Sequence, residues 1–397
     1  MEMRLALASA LIKLVVLLLA QRTTTGRTLA AFFPFPSRPA ISPFPTTTRR
    51  TTTTRRTITE QITTCHSMAD TVMAEPASNS GMIIDRSTLI LLEHINLNVP
   101  SHEYILPFYL TLLGCGLDPR KAANLEPNAK KKTIWANCGA SQFHLPYGDP
   151  QRIPGQIGLR YDSLEGLKSR LADCKAVKSY EIGIDPTSKR EYVKLVDMYD
   201  NIFYCRQGEP VHTDKRQPII TPDEVEKWGE HAKTFGRMES DCRGIDYVEL
   251  NCPVGTAEKI ALFYDSVLDA TTSCVDAGEG KKIAIIGFGN IRDNGRAEQS
   301  LLFRETTQAI PQYDGHHVAM YVGESAADFE QAFRNAEIAG VVWVNPRFSD
   351  KADTLEGARQ WKQFRFKDIV DMETGEKIFE LEHEMRSIEH DDWPGKR

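Results

Sequence analysis

The chain of 397 residues is long enough for two or three domains with cores of their own. Residues 1–59 hold nine Lys/Arg and one acid, a surplus of eight positive charges that leaves −14 on the rest of a chain whose net charge is −6. So acidic a body excludes an electrostatically driven nucleic-acid binder, and eight scattered cysteines with no Cys-x-x-Cys exclude zinc-finger and thioredoxin-type chemistry.

An apolar stretch runs from Leu5 to Ala20 and is interrupted by Lys13. It is too short to span a bilayer and makes an imperfect signal core. Residues 21–64 are rich in Thr, Arg and Pro, with no acid before Glu60. Such a composition cannot form a core and reads as disordered; it also fits a transit peptide. With Ala31-Phe32-Phe33-Pro34 between the two parts, the segment resembles the bipartite presequence of plastid proteins. Met68-Ala69-Asp70 reads equally as a cytosolic start, so plastid and cytoplasm both stand as expectations. Residues 1–85 are assigned to this extension.

A first unit is expected over residues 86–207. Leu89–Val99 alternates polar and apolar residues and predicts a strand, followed by a helix at Tyr104–Leu113 that Gly114 ends. Strands are expected near Lys132–Asn137, Ser141–Leu145 and Gln156–Tyr161, then a helix at Leu164–Cys174 and strands near Glu191–Val196 and Asn201–Cys205. A linker over 208–243 carries Thr221-Pro222-Asp223-Glu224, with the signature of a helix start; that helix is expected to end near Phe235.

A second unit is expected over 244–388, with a tail at 389–397. Ile245-Asp246-Tyr247-Val248-Glu249-Leu250-Asn251 repeats the pattern of Leu92-Glu93-His94-Ile95-Asn96-Leu97-Asn98. Each copy precedes an amphipathic helix carrying Phe-Tyr: Phe108-Tyr109 in the first, Phe263-Tyr264 in the second. Helices Ala257–Leu268 and Ala326–Ala339 alternate with strands near Asp246–Cys252, Lys281–Gly287, Gln299–Arg304, His317–Val322, Phe364–Ile369 and Lys377–Glu382. The order β-α-β-β-β thus occurs four times, twice per unit. The class is α+β: four βαβββ modules paired into two mixed-sheet units.

This organisation resembles the vicinal oxygen chelate superfamily of glyoxalase-type lyases, extradiol dioxygenases and bleomycin-resistance proteins. The residues carrying the resemblance are His94-Ile95-Asn96-Leu97, the Phe-Tyr helices, Gln142-Phe143-His144-Leu145-Pro146, Gly155-Gln156-Ile157-Gly158-Leu159, His316-His317-Val318-Ala319 and Phe379-Glu380-Leu381. It implies that paired modules curl into cups whose metal ligands come from the first and last strands of each module. Alternation independently places His94 with Asn96, Gln142 with His144, Gln156 with Arg160, and Tyr247 with Glu249 on single strand faces, with Tyr204 and Glu380 on comparable polar faces. A small-molecule ligand is the expected partner, with neither nucleic acid nor, in the mature form, a membrane.

Carried over position by position, the resemblance gives unit one His94, His144, Gln156 and Tyr204, and unit two Tyr247, Phe303, His317 and Glu380. Neither is a full set of imidazole and carboxylate ligands. Three readings follow. Unit one binds a divalent ion (Zn, Ni, Fe or Mn) through His94, His144 and Gln156; or unit two does so through His317 and Glu380; or both cups are metal-free and the histidines line a pocket. If the protein is catalytic, Glu380 is the expected general base of a lyase or isomerase. A binding or scaffold protein, or an extradiol-type dioxygenase, are the alternatives.

Ile283–Gly289 looks like a dinucleotide-binding turn, but Arg292 replaces the third glycine, so a hairpin is expected. Gln360–Lys367 interleaves aromatic and basic residues and reads as a strand with its cations in solvent. The connection Pro346–Gln360 reads as a cover over the second cup. Beyond Glu380, the run to His390 reads as a solvated charged tail.

Overall fold

A computed structural model describes residues 83–186, 188–211, 239–292 and 296–394. The presequence reading, the connector helix at Thr221–Phe235 and the hairpin tip at 293–295 lie outside the described residues.

Four modules are present, three of order β-α-β-β-β and a fourth of order β-α-α-β-β, in which Val342 makes only an isolated bridge to Phe366. After β1 (Ile83–Arg86), the first runs β2 (Leu89–Asn96), α1 (His102–Ile105, prolonged by π-helical turns over Leu106–Leu112), β3 (Gly116–Leu117), α2 (Pro119–Ala122), β4 (Ile134–Cys138) and β5 (Ser141–Leu145). The second runs β6 (Gly155–Tyr161), α3 (Glu165–Leu171), β7 (Val177–Ile184), β8 (Glu191–Asp197) and β9 (Ile202–Gln207). The third runs β10 (Cys242–Pro253), α4 (Ala257–Leu268), β11 (Thr272–Gly278), β12 (Lys281–Arg292) and β13 (Ala297–Thr306). The fourth runs β14 (His317–Val322), α5 (Ala326–Ile338), α6 (Leu355–Trp361), β15 (Gln363–Val370) and β16 (Lys377–Arg386).

Local chemistry accounts for the helices. α4 buries Ile260, Ala261, Phe263, Tyr264, Val267 and Leu268, spaced three and four apart, and stops where Asp269 turns left-handed at φ 50°. α5 begins with a reciprocal cap between Ser325 and Asp328. In the first module Phe108 and Tyr109 point into the core, where Phe108 meets Phe203 at 5.1 Å and Tyr109 meets Phe143 at 5.3 Å.

One pairing rule holds in every module: the first strand lies parallel to the last, as β2–β5, β6–β9, β10–β13 and β14–β16. The modules then join antiparallel through their first strands, β2 to β14 and β6 to β10. The two sheets run β15-β16-β14-β2-β5-β4-β3 and β1-β12-β13-β10-β6-β9-β8-β7, with β11 beside β12. Cup partners are therefore the first and fourth modules, and the second and third, not the sequence neighbours expected above. Complementary shapes explain the choice at both seams. Ala319 stands opposite His94 in one. In the other, Gly158 stands opposite Tyr247, whose ring fills the space where a Cβ would fall, 2.2 Å away.

Six elements went unforeseen: β1, β3, α2, β7, β11 and α6. β7 is an edge strand, largely exposed along its length, so it lacks the buried alternate residues that reveal a strand. A disulfide joins Cys138 of β4 to Cys242 of β10, with Cα atoms 4.9 Å apart, and so links the two sheets. Cys115, Cys205 and Cys252 form no disulfide and are buried, as small apolar side chains are.

Candidate metal centre

Because β2, β14 and β16 are neighbours in one sheet, their polar faces meet on the floor of a single cup. His94, His317 and Glu384 are all buried there, and one ligand atom from each lies within 4.8 Å of the others. His317 Nε2 is 3.6 Å from Glu384 Oε2. His144, from β5, stacks on His94 with ring centroids 3.6 Å apart, and His317 meets His94 edge-on at 5.6 Å.

Hydrogen bonds fix the tautomers. His94 Nδ1 donates to the Glu93 carboxylate at 2.7 Å, which leaves Nε2 buried and without a partner. A β-bulge lets the adjacent residues Glu93 and His94 meet in this way, since the register slips between Ala319 and Met320 opposite them. The Gln142 amide donates to Asp118 at 3.0 Å and Asn137 at 2.7 Å, so its oxygen must accept from His144 Nε2, at 3.0 Å. His317 Nδ1 is also buried and unpartnered. Burial holds both His144 and His317 well below the usual imidazole range, and the Arg365 cation adds to this at His317, so both rings are neutral.

Burial alone would raise the Glu384 carboxyl; Arg365 and Arg386 overcome it and hold the group well below the carboxylate range. Arg386 Nε donates to Glu384 at 2.6 Å and its Nη1 to Glu93 at 2.8 Å. Arg365 reaches Glu384, Glu382 and Asp350, the last two at 2.8 Å. The buried carboxylates Glu93, Asp350, Glu382 and Glu384 thus outnumber the guanidinium groups of Arg365 and Arg386 around this floor. Burial pushes the Glu382 carboxyl up against the opposing pull of Arg365.

This donor set fits a divalent cation. It offers two bare imidazole nitrogens that burial has left unsatisfied, an ionised carboxylate, and an excess of negative charge that a cation would offset. The Glu93–His94 bond is the arrangement that orients a ligating imidazole from behind. The connection before α6 covers this cup of the first and fourth modules, rather than the second-unit cup expected above. Asn345 donates to Glu382 at 2.8 Å, and Phe348 lies 5.8 Å from His317 and under the Arg365 guanidinium at 4.4 Å.

The structure thus brings His94, His144 and His317 together, with Asn96 and Gln142 beside them, and keeps the other expected residues apart. Gln156 is in the other sheet, because β6 pairs with β10; its amide donates to the Tyr247 hydroxyl at 3.0 Å. Tyr204 stacks on Tyr192 at 4.8 Å, Glu249 pairs with Arg304 at 2.9 Å, and Arg160 pairs with buried Asp246. Phe303 faces the helix layer and Tyr264, not the cup. Glu380 sits near the start of β16, partly exposed and ion-paired with Lys367 at 2.7 Å and Lys377 at 2.8 Å. Glu384 takes the place beside the imidazoles, because β16 runs four residues beyond the end expected for it. Arg365 and Arg386, expected in solvent, are instead buried at 4% and 5% exposure. The period-two run Glu382-x-Glu384-x-Arg386, with Leu381, His383 and Met385 between, was the signal that this strand continues past Glu382.

No family model and no curated protein matches the chain. Among solved structures it is similar to glyoxalase I from Zea mays, at 14% identity and a TM-score of 0.48, over 78% of this chain and 95% of that one. It is similar to the fosfomycin resistance protein FosX from Listeria monocytogenes, at 14% identity and a TM-score of 0.24, over 30% of this chain and 93% of that one. It is also similar to 2,2',3-trihydroxybiphenyl 1,2-dioxygenase from Sphingomonas wittichii strain RW1, at 12% identity and a TM-score of 0.26, over 75% of this chain and 90% of that one. Strand order and pairing show modules joined in pairs through their first strands.

Proposed function

We propose that the protein is a divalent-metal-dependent enzyme of the vicinal oxygen chelate kind, acting on a small substrate that offers two neighbouring oxygens. The observation that carries this reading is the convergence, within 4.8 Å in one cup, of one imidazole nitrogen each from His94 and His317 and a carboxylate oxygen of Glu384. His94, His317 and Glu384 would hold the ion. When bound, it supplies Lewis acidity to the substrate oxygens.

The remaining residues divide the work. Glu93 fixes the tautomer of His94, and Arg365 with Arg386 fixes the Glu384 carboxylate. Held by two cations, Glu384 is a weak base. His144 is neutral and commits its Nε2–H to Gln142, which leaves Nδ1 as the proton acceptor beside the site. Phe348 excludes water from above. A lyase or isomerase that moves one proton next to a polarised oxygen fits this division. The two-His, one-carboxylate set is also the facial set of non-haem iron oxygenases, and that observation favours an extradiol-type dioxygenase as the second reading.

Titration of the metal-stripped, untagged protein with Zn²⁺, Ni²⁺, Mn²⁺ and anaerobic Fe²⁺ tests the proposal. One ion per chain is expected. Glu93→Gln weakens binding by about 10–100-fold, the range of outer-shell partners, and His94→Ala and Glu384→Gln weaken it further. Oxygen uptake with a catechol after Fe²⁺ loading selects the dioxygenase. Metal far below one ion per chain, or affinity indifferent to His94→Ala, replaces the enzyme with a binding or scaffold protein whose cups are degenerate.

A further inference from the structure

Two connections cross from one sheet to the other, residues 146–154 and 307–316. They are tied together at Asp314, whose carbonyl oxygen accepts from Gln151 Nε2 at 2.8 Å and whose carboxylate accepts from the Arg152 N–H at 2.7 Å. Between these crossings and the start of β16 lies a cavity of about 290 Å³. None of His94, His144, His317 or Glu384 lines it.

Its walls are apolar where Pro154, Pro253, Ile310 and Phe379 meet, and polar at Arg152 and His316. Glu380, at the rim, is already matched by Lys367 and Lys377. The Arg152 side chain is exposed, and among the described residues its guanidinium makes no hydrogen bond or ion pair. His316 is 2% exposed; Asp314 holds its Nδ1 at 2.7 Å, while its Nε2 has no partner. An apolar chamber bordered by a guanidinium that makes no hydrogen bond among the described residues and by one unsatisfied imidazole suits a particular ligand chemistry. An anionic head would gain a charge-assisted, two-pronged contact with the guanidinium. The space admits on the order of ten non-hydrogen atoms, judged against the volume of a water molecule.

We propose that this seam cavity binds a small carboxylate with an apolar body, its head on Arg152 and its body against Pro154, Pro253, Ile310 and Phe379. The site is separate from the metal centre, although one side chain on its wall bonds to backbone beside it. The Tyr313 hydroxyl, also on the cavity wall, donates to the His316 carbonyl at 2.6 Å and accepts from the Glu382 N–H at 3.2 Å. A ligand here therefore touches the backbone next to His317 and the strand that carries Glu384.

Phenylacetate, with phenylacetamide as its neutral isostere, is the probe pair, titrated into the full chain by calorimetry. Saturable binding at one site is expected, with the carboxylate about tenfold tighter than the amide, the gain of roughly one charge-assisted contact. Arg152→Ala removes that preference and leaves amide binding unchanged; Ile310→Trp fills the chamber and removes both. Binding to metal-stripped His94→Ala matches the parent, which separates this site from the metal centre. No saturable binding, equal affinity for acid and amide, or phenylacetate binding that survives Ile310→Trp overturns the proposal. Arg152 is exposed, so its variant keeps the test independent of folding.

Discussion

His94 is positioned from behind by its own neighbour, and that pair sets the character of the site. A carboxylate on Nδ1 leaves Nε2 bare inside a dry cup, where an unsatisfied nitrogen is costly unless a cation takes it. The same dryness makes the site sensitive to acid. His144 and His317 stay neutral in the fold but bind protons in the unfolded chain below about pH 6.5, so stability falls as the pH drops through that value. His383, which burial pushes down to about 3, acts in the same direction. Glu384, held down against the cost of burial by Arg365 and Arg386, adds the same sign only below about pH 4.5. Glu382, raised by burial, opposes them. Scanning calorimetry of the metal-free protein should give a clearly lower Tm at pH 5.5 than at pH 7.5. A flat profile would mean that the imidazoles are not buried as described.

At the scale of the element, β15 and β16 carry the site's charge across one ladder. Arg365 on β15 reaches Glu382 and Glu384 on β16 and Asp350 in the cover, so one side chain ties two strands and a loop. Arg365→Met keeps the length but strands three buried carboxylates. Urea denaturation should show a loss of about 3–5 kcal/mol, the scale of a broken buried ion network. A loss below about 1 kcal/mol would mean the network is solvated. Part of this ladder was legible in the sequence. Alternation placed His94 with Asn96 and Gln142 with His144, because each strand has one apolar face to reveal the period. It failed on β16, where charged residues on the inward face imitate a solvated tail, and on β15, where Arg365 was read as a surface cation. Nothing local distinguishes a buried guanidinium from an exposed one; only the partner strands do.

At the scale of the molecule, the repeat gave the four modules but not their partners. Tyr247 occupies in one sheet the place that His94 occupies in the other, and the ligands sort accordingly: imidazoles and Glu384 in the first-and-fourth cup, Gln156 and Tyr247 in the second-and-third. Sequence offers no direct signal for that choice, because the repeat between β2 and β10 names no partner strand and the seams are decided by fit, as at Gly158 and Tyr247. Each cup therefore needs both halves of the chain. Fragments cut within 212–238 should stay unfolded apart and regain circular dichroism and metal binding only when co-expressed; independent folding of either fragment would contradict the pairing. The most direct test is a crystal of the whole chain grown with Mn²⁺ and measured for anomalous scattering. One peak is expected within coordination distance of His94, His317 and Glu384. A peak beside Gln156 and Tyr247, or none at saturating Mn²⁺, would contradict it.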